Sequence, residues 1–189
     1  MNLKWKNLKP DIESIPFELF LSNFFFGDCL RIIHFADNSL QIFINEFVRL
    51  KIINHLQTDK VELGGLLVGR IYSIGDFNEG IKAVEICDSI PSEEFESNRV
   101  SLIMGTDVWN KARKNRSEKQ YVIGWYHSHP NLGAFFSQTD ISTQSKVFNN
   151  SFNVGLVIDP QRNEERWFVG KDCKETKYIY NMQGKNLIN

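Results

Sequence analysis

The segment GWYHSHPNLGAFFSQTD, residues 124–140, decides how this chain is read. In an extended strand residues i and i+2 face the same side, so His127 and His129 can aim both imidazoles at one ion. Pro130 disfavours the helical region for the residue before it and holds His129 in extended geometry at the strand end. Asp140 arrives ten residues after Pro130, in the first turn of a predicted helix, with enough chain between them to fold back and deliver a carboxylate. Two imidazoles and one carboxylate suit zinc, and three protein ligands leave a position for water, which is a catalytic arrangement and not a scaffolding one.

Blander roles compete for the same residues. A lone His-x-His on a strand is more often structural than metal-binding. Ser137 followed three residues later by Asp140 also resembles a variant of the helix capping box, a role compatible with metal ligation. Trp125 and Tyr126 read as strand core and flank. His34 and His55 lack partners at any ligand spacing and read as ordinary surface or core residues.

Upstream of the motif, Tyr121 to His127 reads as a strand, and Thr106 to Asn115 as a helix whose Lys111, Arg113 and Lys114 form a solvated face. Pro91 to Arg99 is polar and reads as a surface loop. Glu62 to Val68 reads as a strand containing Gly64 and Gly65, paired with Ile81 to Cys87 across a loop from Gly75 to Gly80. Asn45 is placed to cap a helix whose Val48, Ile52, Ile53 and Leu56 form one apolar face. Leu30 to Phe35 and Leu40 to Ile44 are β-rich runs around Asp37-Asn38-Ser39, a hairpin signal. Residues 1 to about 28, with Pro10, Pro16 and the aromatics Phe20, Phe24, Phe25 and Phe26, read as an irregular extension packing on the core.

Downstream, a helix from about Ser137 to Phe148 is followed by strands at Phe152 to Ile158, Arg166 to Val169 and Tyr178 to Tyr180. Strands and helices alternate irregularly with hairpins among them. The fold class is therefore α/β or α+β, with a mixed β-sheet flanked by helices.

With 189 residues, 42% of them hydrophobic, and 15 Phe, the chain can bury one good core. The expected organisation is an N-terminal extension over 1–38 and one domain over 39–189. Lys plus Arg number 22 against 23 Asp plus Glu, a net charge of −1, so there is no electrostatic footprint for nucleic acid or anionic lipid. Cys29, Cys87 and Cys173 are an odd, widely spaced set without CxxC, which fits reduced, buried thiols in a cytoplasmic protein. The basic start Met1-Asn-Leu-Lys-Trp-Lys is followed by Asp11, Glu13 and Glu18, which break any apolar signal region, and no run reaches the roughly 20 apolar residues of a membrane span.

The string His-x-His-Pro, six residues, Ser, two residues, Asp resembles the JAMM signature of the JAB/MPN family, and GWYHSHP is similar to the version in its deubiquitinating members. VELGGLLVG at residues 61–69 resembles the strand bearing that family's catalytic glutamate, and Gln144 with VGLVIDP at 154–160 resembles its downstream helix and strand. The resemblance runs from about Leu40 to Val169 and implies a cytidine-deaminase-like JAB/MPN fold. It implies one zinc per chain on His127, His129 and Asp140, Glu62 as general base, and Ser137 helping to stabilise the oxyanion. The chain ends about 20 residues after Val169, unlike the longer eukaryotic lid and signalosome subunits, so it resembles the stand-alone prokaryotic type.

In function, the resemblance implies a zinc (iso)peptidase acting at the C-terminal tail of a ubiquitin-like protein or its conjugates, with E1- and E2-like proteins of a defence operon as further partners. Sulfur-carrier processing and a non-catalytic MPN scaffold are the alternatives, although a scaffold predicts missing ligands and all five motif residues are present. A RadC-like protein shares the ligand spacing but not the GWYHSHP and VIDP contexts. A non-haem iron oxygenase uses two His and one carboxylate, but that class explains neither Ser137 nor the helix after Asp140. A zinc nucleobase deaminase is disfavoured because H-x-E with P-C-x-x-C is missing.

Overall fold

The computed structural model describes residues 12–34, 39–58, 61–75, 80–92, 106–115, 117–184 and 186–188. One mixed sheet organises them. Its strands are β1 (Ile15–Pro16), β2 (Gln41–Asn45), β3 (Gly64–Ser73), β4 (Ile81–Pro91), β5 (Tyr121–Ser128), β6 (Val154–Asp159), β7 (Glu164–Val169), β8 (Lys174–Thr176), β9 (Ile179–Gln183) and β10 (Asn186–Ile188). The order is β10-β9-β2-β4-β3-β5-β6-β7-β8, with β1 pairing parallel to β3. The β2–β4, β2–β9 and β5–β6 pairs are parallel, and β3 runs antiparallel to both β4 and β5. The expected mixed sheet with flanking helices is what the chain forms.

The sheet curls around α3 (Glu46–Leu56). Asn45 caps this helix as expected, its side chain accepting from the Phe47 amide at 2.9 Å. Val48, Ile52 and Leu56 then lie buried against Ile42, Ile44, Leu67, Ile86 and Trp167, strands from both halves of the sheet. Arg49 pairs with Glu165 on β7 while Lys51 pairs with Asp88 on β4 at 2.6 Å, so the helix is clamped across the curl. On the other face, α4 (Thr106–Asn115) and α5 (Gln138–Val147) cover Leu66, Val68, Ile90 and Trp125.

The N-terminal expectations need correction. Leu30 to Phe35 is not a strand. Helix α1 (Phe17–Leu21) and helix α2 (Phe26–His34) replace the irregular segment and the first arm of the hairpin. Ile32 inserts between Phe20, Phe43 and Tyr72, and the Gln41 amide donates to its carbonyl at 2.8 Å, so tertiary packing overrides the β propensity of this run. Of the aromatic cluster, Phe20 is buried, whereas Phe25 and Phe26 remain 72% and 79% exposed. The hairpin residues 35–38, the segment 1–11, the loop positions 76–79 and most of the Pro91–Arg99 loop, 93–99, lie outside the described residues. The three cysteines are half-buried instead of buried, and they are free. Among the described residues no helix is long and apolar enough to cross a membrane.

Candidate metal centre

Strand β5 delivers the two histidines. A register shift between Leu67 and Val68, where β3 pairs with β5, makes Ile123 an extra residue, so that Ile123 and Tyr126 join the core around α3 while Trp125 faces α4 and α5. His127, two residues on, shares the Trp125 side and stacks on its ring at 4.5 Å and 7°. Trp125 is fixed in turn: it stacks on Phe148, and its Nε1 donates to Gln144 Oε1 at 2.7 Å. Gln144 Nε2 faces the carbonyls of Phe148, Asn153 and Gly170 at 3.3–3.4 Å, joining α5 to the loops flanking β6 and β7.

Helix α5 brings the carboxylate. Ser137 caps it with both arms of a capping box: Ser137 Oγ accepts from the Asp140 amide at 3.3 Å, and Asp140 Oδ2 accepts from the Ser137 amide at 2.7 Å. That bond helps fix the Asp140 rotamer, with both carboxylate oxygens near the histidines. His127 Nε2 lies 3.3 Å from Asp140 Oδ1, His129 Nε2 lies 3.5 Å from Asp140 Oδ2, and the two Nε2 atoms are 3.1 Å apart. All three side chains are buried. Glu62 comes from the start of the β3 segment, with Oε1 4.0 Å from His129 Nε2.

These residues fit a metal. Two Nε2 atoms at 3.1 Å can share no more than one proton between them, which leaves a lone pair directed at the common centre. Zinc bonds of about 2.0–2.1 Å in a tetrahedron put donors about 3.3 Å apart, matching the separations found here. His127, His129 and Asp140 are a group of potential ligand atoms that could hold an ion.

Burial and mutual contact shift the four titratable groups in different directions. Burial alone would raise Asp140, but the hydrogen bonds of His127 and His129, with the charge of His127 and the bond from Ser137, hold it well below the usual carboxylate range. Burial lowers His127, and Asp140 reverses this only in part. His129 is also desolvated, yet the bond and charge of Asp140, and the charge of Glu62, carry it above its ordinary value. Glu62 is raised, first by burial, with His129 opposing and Asp140 adding to the shift.

The loop after His129 is tied down by Asp159, fully buried at the end of β6. Its carboxylate accepts from the amides of Asn131 (3.1 Å), Gly133 (2.7 Å), Gln161 (3.0 Å) and Arg162 (3.2 Å). Asn131 and Gly133 take φ of 61° and 90°, the left-handed region, which lets two amides of one short loop point at one carboxylate. A side chain at Gly155 would collide with the Phe136 ring, so this glycine lets the loop cross β6 closely. Burial would raise Asp159, but the four amides depress it. Its contribution to stability is therefore present above the unfolded carboxylate value of about 3.9 and fades as pH falls through the lower folded value. Asp159→Asn is expected to lose on the order of 2–3 kcal/mol, because an amide nitrogen must face a backbone donor. Urea unfolding at neutral pH measures the loss, and the gap to wild type should narrow at acid pH.

The structure brings together all five residues picked out in the sequence, with Ser137 as the cap bonded to Asp140. Sequence reasoning left Trp125 and Gln144 without a site role and read Asp159 only as part of the VGLVIDP segment. Period alone offered a signal for two of them: Trp125 is two residues before His127 on one strand face, and Gln144 is four after Asp140 on one helix face. His55, read as ordinary, bonds the Tyr126 hydroxyl through Nδ1 at 3.0 Å.

Comparison with known proteins points the same way. Residues 46–170 match the family model described as prokaryotic homologs of the JAB domain. COP9 signalosome complex subunit 5 of Caenorhabditis elegans is 34% identical over 131 residues, covering 65% of this chain and 33% of that protein. Ubiquitin carboxyl-terminal hydrolase RPN11 of Saccharomyces cerevisiae is 26% identical over 137 residues, covering 66% and 40%. NAD(+) hydrolase TcpA of Theionarchaea archaeon is 32% identical over 104 residues, covering 54% and 29%. The chain thus spans 29–40% of the length of these relatives. The solution structure of protein DSY2949 from Desulfitobacterium hafniense superposes with a TM-score of 0.59 at 23% identity, covering 76% of this chain and 94% of that one, and supports the fold.

Proposed function

The chain belongs to the family of prokaryotic homologs of the JAB domain, and from that premise we propose that it is a zinc-dependent (iso)peptidase cutting after the C-terminal tail of a ubiquitin-like modifier. The observation that carries this reading is the convergence of His127, His129 and Asp140, three buried ligands, with the Glu62 carboxylate 4.0 Å from His129. Zinc held by the two Nε2 atoms and an Asp140 oxygen would lower the pKa of a water to about 7 and polarise the scissile carbonyl. Glu62 takes the proton of the attacking water and gives it to the leaving nitrogen. Its raised pKa suits both steps. The Ser137 hydroxyl, whose oxygen faces the Asp140 amide, is free to donate its proton to the carbonyl oxygen as charge develops there.

The surroundings favour an extended peptide. Val61 and Ile141, chain neighbours of Glu62 and Asp140, are exposed, as are Leu132 and Phe135 on the loop between His129 and Asp140. Phe135 lies edge-on to His129 at 4.9 Å. A polar centre among exposed apolar side chains suits a flexible tail of small and apolar residues, in which glycine lets the backbone approach closely. A charged dinucleotide would find no such match there. E1- and E2-like proteins are the partners that would form the conjugates this activity removes.

The test incubates zinc-loaded wild type and Glu62→Gln with ubiquitin-like proteins, sulfur carriers included, that carry a C-terminal peptide extension or an isopeptide-linked lysine. Mass spectrometry should find wild type releasing the modifier at the last residue of its tail. Cleavage elsewhere, or equal cleavage by both proteins, refutes the assignment, and binding without cleavage indicates a scaffold.

A further inference from the structure

Glu62 lies outside the β3 ladder, which begins at Gly64, so regular strand pairing does not set its position. Ser128 holds the residue next to it. The Ser128 amide donates to the Leu63 carbonyl at 2.8 Å, and Ser128 Oγ accepts from the Leu63 amide at 2.9 Å. Ser128 is fully buried and Leu63 is buried in the core around α3. Because side chains alternate along a strand, the Ser128 side chain points to the opposite side from those of His127 and His129.

We propose that Ser128 is a positioning residue, which sets the Glu62 carboxylate at its working distance from the metal ligands through the main chain of Leu63; this rests on the reading of Glu62 as general base. The physical reason is an unequal division of labour within one strand. Residues 127 and 129 carry the metal, and residue 128 carries the segment that bears the base, so base and metal share a single rigid support. Removing Oγ leaves the Leu63 amide buried without a partner, and the segment must shift or admit water to satisfy it. The bond from the Ser128 amide to the Leu63 carbonyl survives, so the sheet stays intact while the carboxylate loses its register. A misplacement of about 1 Å in a catalytic group lowers rate by about 100-fold.

The experiment compares zinc-loaded wild type, Ser128→Ala and Ser128→Thr, the last restoring the hydroxyl. Crystal structures of Ser128→Ala should show His127, His129 and Asp140 unmoved and Glu62 displaced. Zinc affinity by chelator competition should change less than the about 10-fold associated with losing an outer-shell partner of a ligand. The Leu63 amide should exchange about 5- to 10-fold faster in Ser128→Ala and regain protection in Ser128→Thr. With the tail-extended ubiquitin-like protein as substrate, Ser128→Ala should lower kcat about 10- to 100-fold at nearly constant KM, and should do nothing further in a Glu62→Gln background. A Glu62 carboxylate in its wild-type place, or an equal loss in both backgrounds, overturns the proposal. Should Glu62→Gln alone turn over like wild type, the general-base reading fails by itself, and the exchange and crystal results still decide whether Ser128 holds the segment.

Discussion

His127→Ala and Asp140→Ala are each expected to lose stoichiometric zinc, one ion per chain in the wild type. Each change leaves two protein donors, too few for a site of three protein ligands and one open position. The weakening should exceed the about 100-fold that loss of even an outer-shell partner can cause. Asp140 has a second role here, because its bond and charge, with the charge of Glu62 adding to them, raise His129 against the opposing effect of burial. In the metal-free protein this pairing contributes stability that is present in full below the unfolded histidine value of about 6.5 and is lost as pH rises through the higher folded value. Binding must displace the His129 proton, so the gain in Tm on adding zinc should be larger near about pH 8 than near about pH 5.5. Asp140→Ala should show no gain at either pH. Elemental analysis and thermal denaturation check both statements; stoichiometric iron in the wild type, or undiminished zinc in both variants, would sink the assignment.

The candidate metal ligands were legible in the sequence because their constraints are local. Strand alternation pairs His127 with His129, Pro130 fixes the strand end, and the Ser137–Asp140 cap is written in consecutive residues. Helix α4 was legible to the residue, and Asn45 announced α3. Glu62 was not, since 64 residues lie between it and His127, and they meet only because the segment entering β3 runs beside the end of β5, where Leu63 is bonded to Ser128. Resemblance supplied that link and the geometry now gives it a distance. Leu30 to Phe35 misled because its β-branched pair, Ile32 and Ile33, reads as strand, and nothing local says that Ile32 will bury against Phe20 and Phe43. The short strand β8, Lys174-Glu-Thr, has no apolar alternation at all and exists because β7 offers it a ladder. Ser128 acts on the Leu63 amide and Asp159 on the amides of Asn131 and Gly133, all distant in sequence, and no residue pattern encodes these bonds, although those of Asp159 to Gln161 and Arg162 are local.

Glu62→Gln is expected to keep its zinc and its fold while losing about 10²- to 10⁴-fold in kcat/KM, the range for removal of a general base. The substitution preserves size and polarity, and Glu62 stands beside the three ligands, 4.0 Å from His129, instead of among them. What it removes is the capacity to accept a proton. Burial raises the Glu62 pKa from the ordinary carboxylate value, and the Asp140 charge adds to this while His129 opposes it. A base works only when deprotonated, so wild-type activity should fall as pH drops through the value at which Glu62 takes up a proton, giving an acid limb. In Glu62→Gln that limb should disappear along with most of the rate. Elemental analysis, thermal denaturation and a pH series of kcat/KM on the tail-extended modifier separate the possibilities. Zinc loss in the variant would move Glu62 into the ligand set. Wild-type turnover would make it an ordinary residue at the end of a strand, and the water would then need another base, although among the described residues only Asp140 and Glu62 place a carboxylate beside the histidine pair.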